Sequence, residues 1–324
     1  PTHPARSAHH GGLLFLWGLT MKYPKSPKSY QEQLNQLIDR GMYVADQARA
    51  LRYLSHLNYY RLAAYWLPFE ADHATHSFKP RTSFDQVLAS YLFDKQLRLL
   101  IMDAIERFEV SLRTQWAYHL AHQYGPHAHL DATNFKPTSQ KPKWDHAQSV
   151  AELRDTVRES SEVFIRHLKT KYDEELPPIW AICEIMTFGE LSRWYANLAK
   201  SGDRNAIARI YDYDEVYFVS FIHHLTIVRN FTAHHARVWN REFPLTWKLP
   251  LSKPASVIGS LNRQDGKRIY NTLAMLACLI DVINPGNHWK KRLSDLINSS
   301  PGIQTRYMGF PDNWRDLPLW KGKV

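Results

Sequence analysis

The longest regular tract of the chain, residues 84–123, carries apolar residues at every third or fourth position. On a helix this spacing gives one continuous apolar stripe. The members of the stripe are Ile101, Ile105, Phe108, Leu112 and Trp116. The sequence has no alternating runs of β-branched residues, and no hairpin dipeptide joins two such runs. The sequence therefore predicts an all-α fold.

Composition limits the classes of protein to which the chain can belong. It has 324 residues, of which 44% are hydrophobic, and this permits a sizeable core. The formal net charge of +10 favours a polyanionic partner. Cys183 and Cys278 lie within apolar helical runs and are expected to be free buried thiols, typical of the cytoplasm. The apolar run at residues 13–19 is too short to span a bilayer, so no membrane association is expected.

A second helical tract changes character abruptly at Arg229. Before this residue its apolar positions recur at three and four residues; they are Phe218, Phe221, Leu225 and Val228. After it come the polar residues of the string RNFTAHHARVWNR. If the helix continues to residue 241, four of these fall at i, i+4, i+7 and i+11 and form one polar stripe. They are Asn230, His234, Arg237 and Arg241.

Such a stripe has the chemistry needed to grip and cleave a phosphodiester. RNA carries its own nucleophile, the 2′-hydroxyl, so a cleaving enzyme needs no metal in principle. His234 would move the proton, because imidazole titrates near neutral pH. Arg229 would stabilise charge on the phosphate, and Asn230, one turn before His234, would orient the imidazole. Arg229 and His234 diverge by roughly 140° on an ideal helix, so either Arg229 curls round or a second copy completes the site.

The extended string resembles the signature of the Abi-like family of bacterial abortive-infection proteins, within the HEPN superfamily. It reads Arg229-Asn230-x-x-Ala233-His234-His235-x-Arg237-x-x-Asn240-Arg241. Flanking motifs extend the resemblance over most of the chain from about Met21. They include Leu57-Asn58-Tyr59-Tyr60-Arg61-Leu62, Tyr91-x-Phe93-Asp94-x-x-Leu97-Arg98, Glu106-x-x-Glu109-x-x-Leu112-Arg113-Thr114, Pro178-Ile179-Trp180 with Phe188-Gly189, and Met308-Gly309-Phe310-Pro311-x-x-Trp314.

The resemblance implies a HEPN-like helical bundle with additional N-terminal and C-terminal helices. It implies an anti-phage effector, a metal-independent endoribonuclease that leaves 2′,3′-cyclic phosphate and 5′-hydroxyl ends. Arg229, Asn230 and His234 would be catalytic, with no metal and no cofactor. The residues expected to bind or position RNA are His235, Arg237, Asn240 and Arg241. A homodimer would bring two motifs to one cleft, and a noncoding RNA would control the activity.

The expected organisation has five parts. Residues 1–20 read as a leader or disordered extension, because the resemblance begins only after them. An N-terminal helical part (21–123) is followed by an exposed insertion loop (124–148) rich in Pro, Thr and Ser. The HEPN core with the motif covers 149–286. A basic, aromatic tail (287–324) completes the chain; its tryptophans either contact single-stranded RNA or pack the tail onto the core.

Other functional interpretations remain open from the residues alone. The main alternative is a HEPN-type RNA-binding module without catalysis, whose stripe only clasps phosphates. Glu106, Glu109 and Arg113 share a helix face and predict either an accessory acid-base group or, as we prefer, an i,i+4 ion pair. The histidines between 119 and 129 lack the spacing of a second ligand cluster, so we expect no metal site there.

Overall fold

The computed structural model describes residues 26–140, 143–244 and 247–321. These residues form thirteen α-helices and two short hairpins, which confirms the all-α fold. The helices of the first half are α1 (Tyr30–Asp39), α2 (Gln47–His56), α3 (Tyr59–Trp66), α4 (Phe84–Tyr124), α5 (His146–Glu159) and α6 (Val163–Lys171). Those of the second half are α7 (Ile179–Ile185), α8 (Phe188–Ala196), α9 (Ser201–Ile210), α10 (Glu215–Ala233), α11 (Ala255–Ile258), α12 (Tyr270–Ile283) and α13 (Trp289–Asn298). The antiparallel hairpins pair β1 (Glu70–Asp72) with β2 (Ser77–Phe78), and β3 (Ser139–Gln140) with β4 (Lys143–Trp144).

Helix α4 forms the centre of the bundle. A capping box begins it, in which the side chains of Ser83 and Gln86 each accept a hydrogen bond from the other residue's backbone N–H. It ends at Gly125, whose φ of 90° is a conformation that glycine tolerates without strain. The predicted apolar stripe is buried along its length. Helices α3, α7, α10, α12 and α13 all pack against α4, so it positions the helix that carries the candidate motif.

The periodicity predicts single helices over residues 44–66 and 149–172, and each of them is divided in the structure. The first is split into α2 and α3 because Asn58 caps the second helix, its side chain accepting a hydrogen bond from Tyr60 N. The second, expected over residues 149–172, is divided into α5 and α6 by the extended residues Ser160 to Glu162.

The C-terminal tail packs onto the core, and its tryptophans hold it there. Trp289, Trp314 and Trp320 are all buried. The indole N–H of Trp289 donates to Leu100 O at 2.8 Å, and that of Trp320 donates to the Tyr270 hydroxyl at 3.1 Å. These rings are therefore not available for stacking on RNA bases.

The segment expected to be an exposed insertion instead contributes to the core. Phe135 and Trp144 are buried, and their rings pack on Trp194 at centroid distances of 4.9 and 5.5 Å. Its lack of helical periodicity reflects loop structure, while its aromatic residues anchor it. The leader interpretation of residues 1–20 lies outside the described residues. Among the helices that the structure describes, none is long and apolar enough to cross a membrane.

Candidate active site

Helix α10 ends inside the candidate motif. Its last helical residue is Ala233, and His234 is the C-cap. His235 follows with a φ of 57°, in the left-handed region that non-glycine residues seldom adopt. His235 N donates to Thr232 O and Ala236 N donates to Phe231 O, which is the hydrogen-bond pattern of a Schellman motif. This pattern satisfies the last carbonyls of α10 and turns the chain sharply away from the helix axis.

The polar stripe predicted over residues 230–241 is therefore wrong beyond His234. The helical spacing of Asn230 and His234 is preserved, because both lie in the last turn and cap of α10. Arg237 and Arg241 follow the turn and leave the helix face. The sequence did not predict the end of α10 because no glycine or proline marks it. A histidine, His235, occupies the left-handed position that glycine usually takes.

The three residues expected to be catalytic have side chains that are free for a ligand. Asn230 and His234 are exposed and Arg229 is half-buried. Within the described part of the chain, none of the three side chains forms a hydrogen bond or an ion pair. The expected contact between the Asn230 amide and the His234 imidazole is thus absent; only the backbones are joined, His234 N donating to Asn230 O at 3.0 Å.

Arg229 lies in an open groove of about 530 Å³ beside α4. The residues that line it are Leu99, Met102, Asp103, Ile105, Glu106, Glu109, Val110, Arg113, Glu184 and Arg229. Leu99 and Val110, two apolar side chains of this groove, are 56% and 52% exposed. The groove is open to solvent, so a single copy of the chain does not shield a reaction at Arg229 from water.

The carboxylates that line this groove differ in whether they form ion pairs. Glu109 pairs with Arg113, which also donates to the carbonyls of Cys183 and Glu184 at 2.8 and 2.7 Å. This confirms the preferred ion-pair interpretation of that helix face. Glu106 and Glu184 are exposed and form no ion pair with the described residues. The groove therefore combines the unpaired guanidinium of Arg229 with two carboxylates that form no ion pair among the described residues.

Two other residues of the motif, Asn240 and Arg241, are used by the fold itself, whereas the His235 side chain is exposed. Arg241 donates through Nε to Arg237 O, and its guanidinium lies 4.5 Å from the centroid of the Phe231 ring. Asn240 accepts a hydrogen bond from Arg268 through Oδ1 at 3.0 Å. These three contacts fix the chain that follows α10, so they leave Asn240 and Arg241 less free to meet RNA than Asn230 and His234.

Arg237 has an unusual environment. Its Nε and Nη1 are buried and have no hydrogen-bond partner among the described residues. Burial lowers the pKa of its guanidinium, and the neighbouring charge of Arg241 lowers it further, whereas Tyr65 and Asp94 act in the opposite direction. Its position near Tyr65 and Asp94 makes it part of the support beneath the motif.

A buried carboxylate that sequence reasoning did not assign holds the chain after α10. Asp94 of α4 has no exposed surface. Its Oδ1 accepts hydrogen bonds from Val238 N and Trp239 N at 3.0 and 2.6 Å. Its Oδ2 accepts from the Tyr65 hydroxyl at 2.6 Å and pairs with Arg98. The signal available in the sequence was a carboxylate on the buried face of an apolar helix.

A further contact joins α3 to the motif. Arg61 donates through Nη1 to His235 O at 2.7 Å, across 174 residues of chain. Together with the Asp94 network, it fixes both sides of the turn that presents His234. A carbonyl in the left-handed conformation thus has a charged donor to satisfy it.

The remaining candidates have structural roles. His119 pairs with Asp203 at 2.9 Å. Burial, with a smaller contribution from the neighbouring His127 and His146, lowers the pKa of His129 to about 3. No group of three or more metal-binding side chains occurs in the ranges that the structure describes.

The fold and the site together define a class: a helical bundle that presents an arginine, an amide and an imidazole at the end of one helix. The profile of the Abi-like protein family matches residues 52–240, which is more than half of the chain. The chain belongs to the Abi-like family. No curated protein and no solved structure matches it. Membership supports a role in abortive infection, and the matched region contains Arg229, Asn230 and His234.

Proposed function

We propose that this protein is a metal-independent endoribonuclease of the HEPN type that acts in abortive infection. The proposal is supported by a difference between side chains of one motif: some have partners in the fold and others have none. Asn240 and Arg241 are engaged by the fold, whereas Arg229, Asn230 and His234 have no side-chain partner in the described chain. Free polar groups held by a rigid scaffold are the usual arrangement of a reaction site.

The chemistry follows from the three side chains. The guanidinium of Arg229 binds two phosphate oxygens and stabilises the charge that builds as the 2′-oxygen attacks phosphorus. His234 moves the proton that this transfer requires, and Asn230 donates or accepts a hydrogen bond next to it. The bond from phosphorus to the 5′-oxygen breaks, which leaves a 2′,3′-cyclic phosphate and a 5′-hydroxyl.

We propose further that the active form is a homodimer. Arg229 lines the groove along α4, which His234 does not line, and the two positions diverge by roughly 140° on an ideal helix. We therefore expect a second copy to complete the site. The exposed Leu99 and Val110 beside Arg229 would be covered by the second copy, which would also exclude water from the cleft.

Control by a noncoding RNA belongs to the same proposal. An unregulated ribonuclease would damage the cell that makes it, and the net charge of +10 provides an attractive surface for a polyanion. Affinity for such an RNA would fall steeply as ionic strength rises, because phosphate contacts release counterions.

The test is cleavage of a mixed single-stranded RNA pool in EDTA. We expect the wild type to cleave and His234→Ala to lose at least about 100-fold in rate, the usual contribution of a positioned acid or base. His223→Ala is the matched control, because His223 is exposed on the same helix but lies outside the motif. Salt-sensitive binding without cleavage by the wild type would instead identify an RNA-binding module without catalysis.

A further inference from the structure

A second cavity lies between the end of α6, the start of α7 and the turn that follows α4. Its volume is about 370 Å³, within the range typical of small-ligand sites. The apolar part of its lining consists of Pro126, Leu168, Leu176, Pro177 and Pro178. Its other lining residues are His127, Lys169, Tyr172, Glu174 and Trp180.

Two aromatic rings border this cavity without being used by the core. Trp180 is 54% exposed and Tyr172 is 50% exposed. Neither ring packs against another aromatic ring among the described residues, and neither polar atom has a hydrogen-bond partner there. Most other tryptophans of the described chain are buried. An exposed indole beside an apolar cavity offers a flat surface on which a nucleobase can stack.

The charges around the cavity suit one nucleotide of a strand. Helix α6 contains Arg166, Lys169 and Lys171 and no acidic residue. Lys169 forms no ion pair within the described ranges, so its ammonium is free to meet a phosphate at the rim. The carboxylate of Glu174 can accept hydrogen bonds from N–H groups on a base edge and would repel a phosphate from the interior. These charges favour a nucleotide whose base points inward and whose phosphate stays at the rim.

The cavity is close to the candidate active site along α7. Trp180 and Glu184 are four residues apart and share one face of this helix, about 6 Å apart along its axis. Glu184 lines the groove that holds Arg229. A strand whose phosphate lies at Arg229 thus reaches Trp180 within a few nucleotides.

We propose that Trp180, Tyr172 and Lys169 form a subsite that binds one unpaired nucleotide of the RNA, the base stacked on Trp180 and its phosphate paired with Lys169. This inference rests on the proposed RNA-directed function and deepens it. The subsite would select single-stranded RNA, because a base in a duplex is stacked and paired and does not enter the cavity.

The test is the affinity of the full chain for a fluorescein-labelled single-stranded RNA, measured by anisotropy over a series of salt concentrations. Trp180→Ala is expected to weaken binding about 5- to 150-fold, the range for loss of one stacked base. Trp180→Phe should retain most of the affinity. Tyr43→Ala is the matched control, because Tyr43 is also exposed and lies far along the chain from the cavity.

The salt series separates the two contacts of the subsite. Lys169→Ala should reduce the slope of log affinity against log salt by about 0.7, the value for one phosphate on a single strand. Trp180→Ala should weaken binding and leave this slope unchanged. Thermal unfolding of each variant, matched to the wild type, shows that the loss is not one of folding.

The outcomes also separate this inference from the proposed function. If the wild type binds and cleaves RNA but Trp180→Ala and Lys169→Ala bind as the wild type does, the subsite is overturned and the cavity is left to a protein partner. If the wild type has no affinity for single-stranded RNA, both the proposed function and the subsite are overturned.

Discussion

Replacement of Asp94 tests the support beneath the candidate site. Its carboxylate accepts hydrogen bonds from Val238 N, Trp239 N and the Tyr65 hydroxyl, and it pairs with Arg98, whose side chain is only 7% exposed. Asp94→Asn keeps a carbonyl oxygen for the two backbone N–H groups but leaves the Arg98 charge buried and unpaired. Breaking a buried pair in this way costs about 3–5 kcal/mol in the free energy of unfolding.

A second substitution reveals whether the unpaired charge is the cause. Adding Arg98→Met to Asp94→Asn removes that charge and keeps the acceptor for Val238 and Trp239. We expect the double variant to recover most of the lost free energy of unfolding, because replacing both members of a buried pair is often nearly neutral. Asp94→Ala should be the least stable, since it also leaves two backbone N–H groups unsatisfied, at about 1–3 kcal/mol each.

The assay is urea unfolding followed by tryptophan fluorescence, with circular dichroism as a second probe of two-state behaviour. A decrease of less than about 0.5 kcal/mol in the free energy of unfolding for Asp94→Asn, small on the scale of typical single substitutions, would show that the Asp94–Arg98 pair does not stabilise the fold. So would a double variant that is less stable than Asp94→Asn alone. Either result would mean that the turn after α10 is held by other contacts.

Three further predictions concern single side chains. The pKa of His129 is about 3 in the fold and about 6.5 in the unfolded chain, so as the pH falls from 7 to 5 only the unfolded chain gains a proton. The free energy of unfolding should therefore fall by about 2 kcal/mol over this pH range. His129→Phe should remove this part of the decrease, measured by urea unfolding at both pH values. His235→Gly should raise the free energy of unfolding by about 1 kcal/mol relative to His235→Ala, since φ is 57° there; equal stabilities would contradict a strained turn. Burial raises the pKa of the Cys183 thiol to about 12, so a thiol reagent should label it only after denaturation.

Regular helices were the part of the fold that the sequence predicted well. The stripe on α4 is long, and its start at Ser83 and its end at Gly125 have the residues that caps require. Gly41 follows the C-cap of α1, and its φ of 92° explains why glycine stands there. Local signals were sufficient in these places because the local and tertiary preferences agree.

The structural features that the sequence did not predict depend on contacts between residues that lie far apart in the chain. The end of α10 depends on His235 in a left-handed conformation, which Arg61 and the Asp94 network support from α3 and α4. Neither contact has a signature in the local sequence around residue 235. The sequence of the tail was equally compatible with contact to RNA and with packing onto the core. Burial of Trp314 and Trp320 depends on contacts with distant parts of the chain, which the local sequence does not show.

In the proposed reaction, the substrate's own 2′-hydroxyl is the nucleophile and His234 moves its proton. The most direct measurement compares an RNA strand with its 2′-O-methylated counterpart in EDTA and analyses the ends of the products. We predict that both strands bind, that only the RNA is cleaved, to 2′,3′-cyclic phosphate and 5′-hydroxyl ends, and that His234→Ala abolishes this cleavage. Cleavage of the methylated strand, or cleavage of RNA that His234→Ala leaves unchanged, would contradict the account.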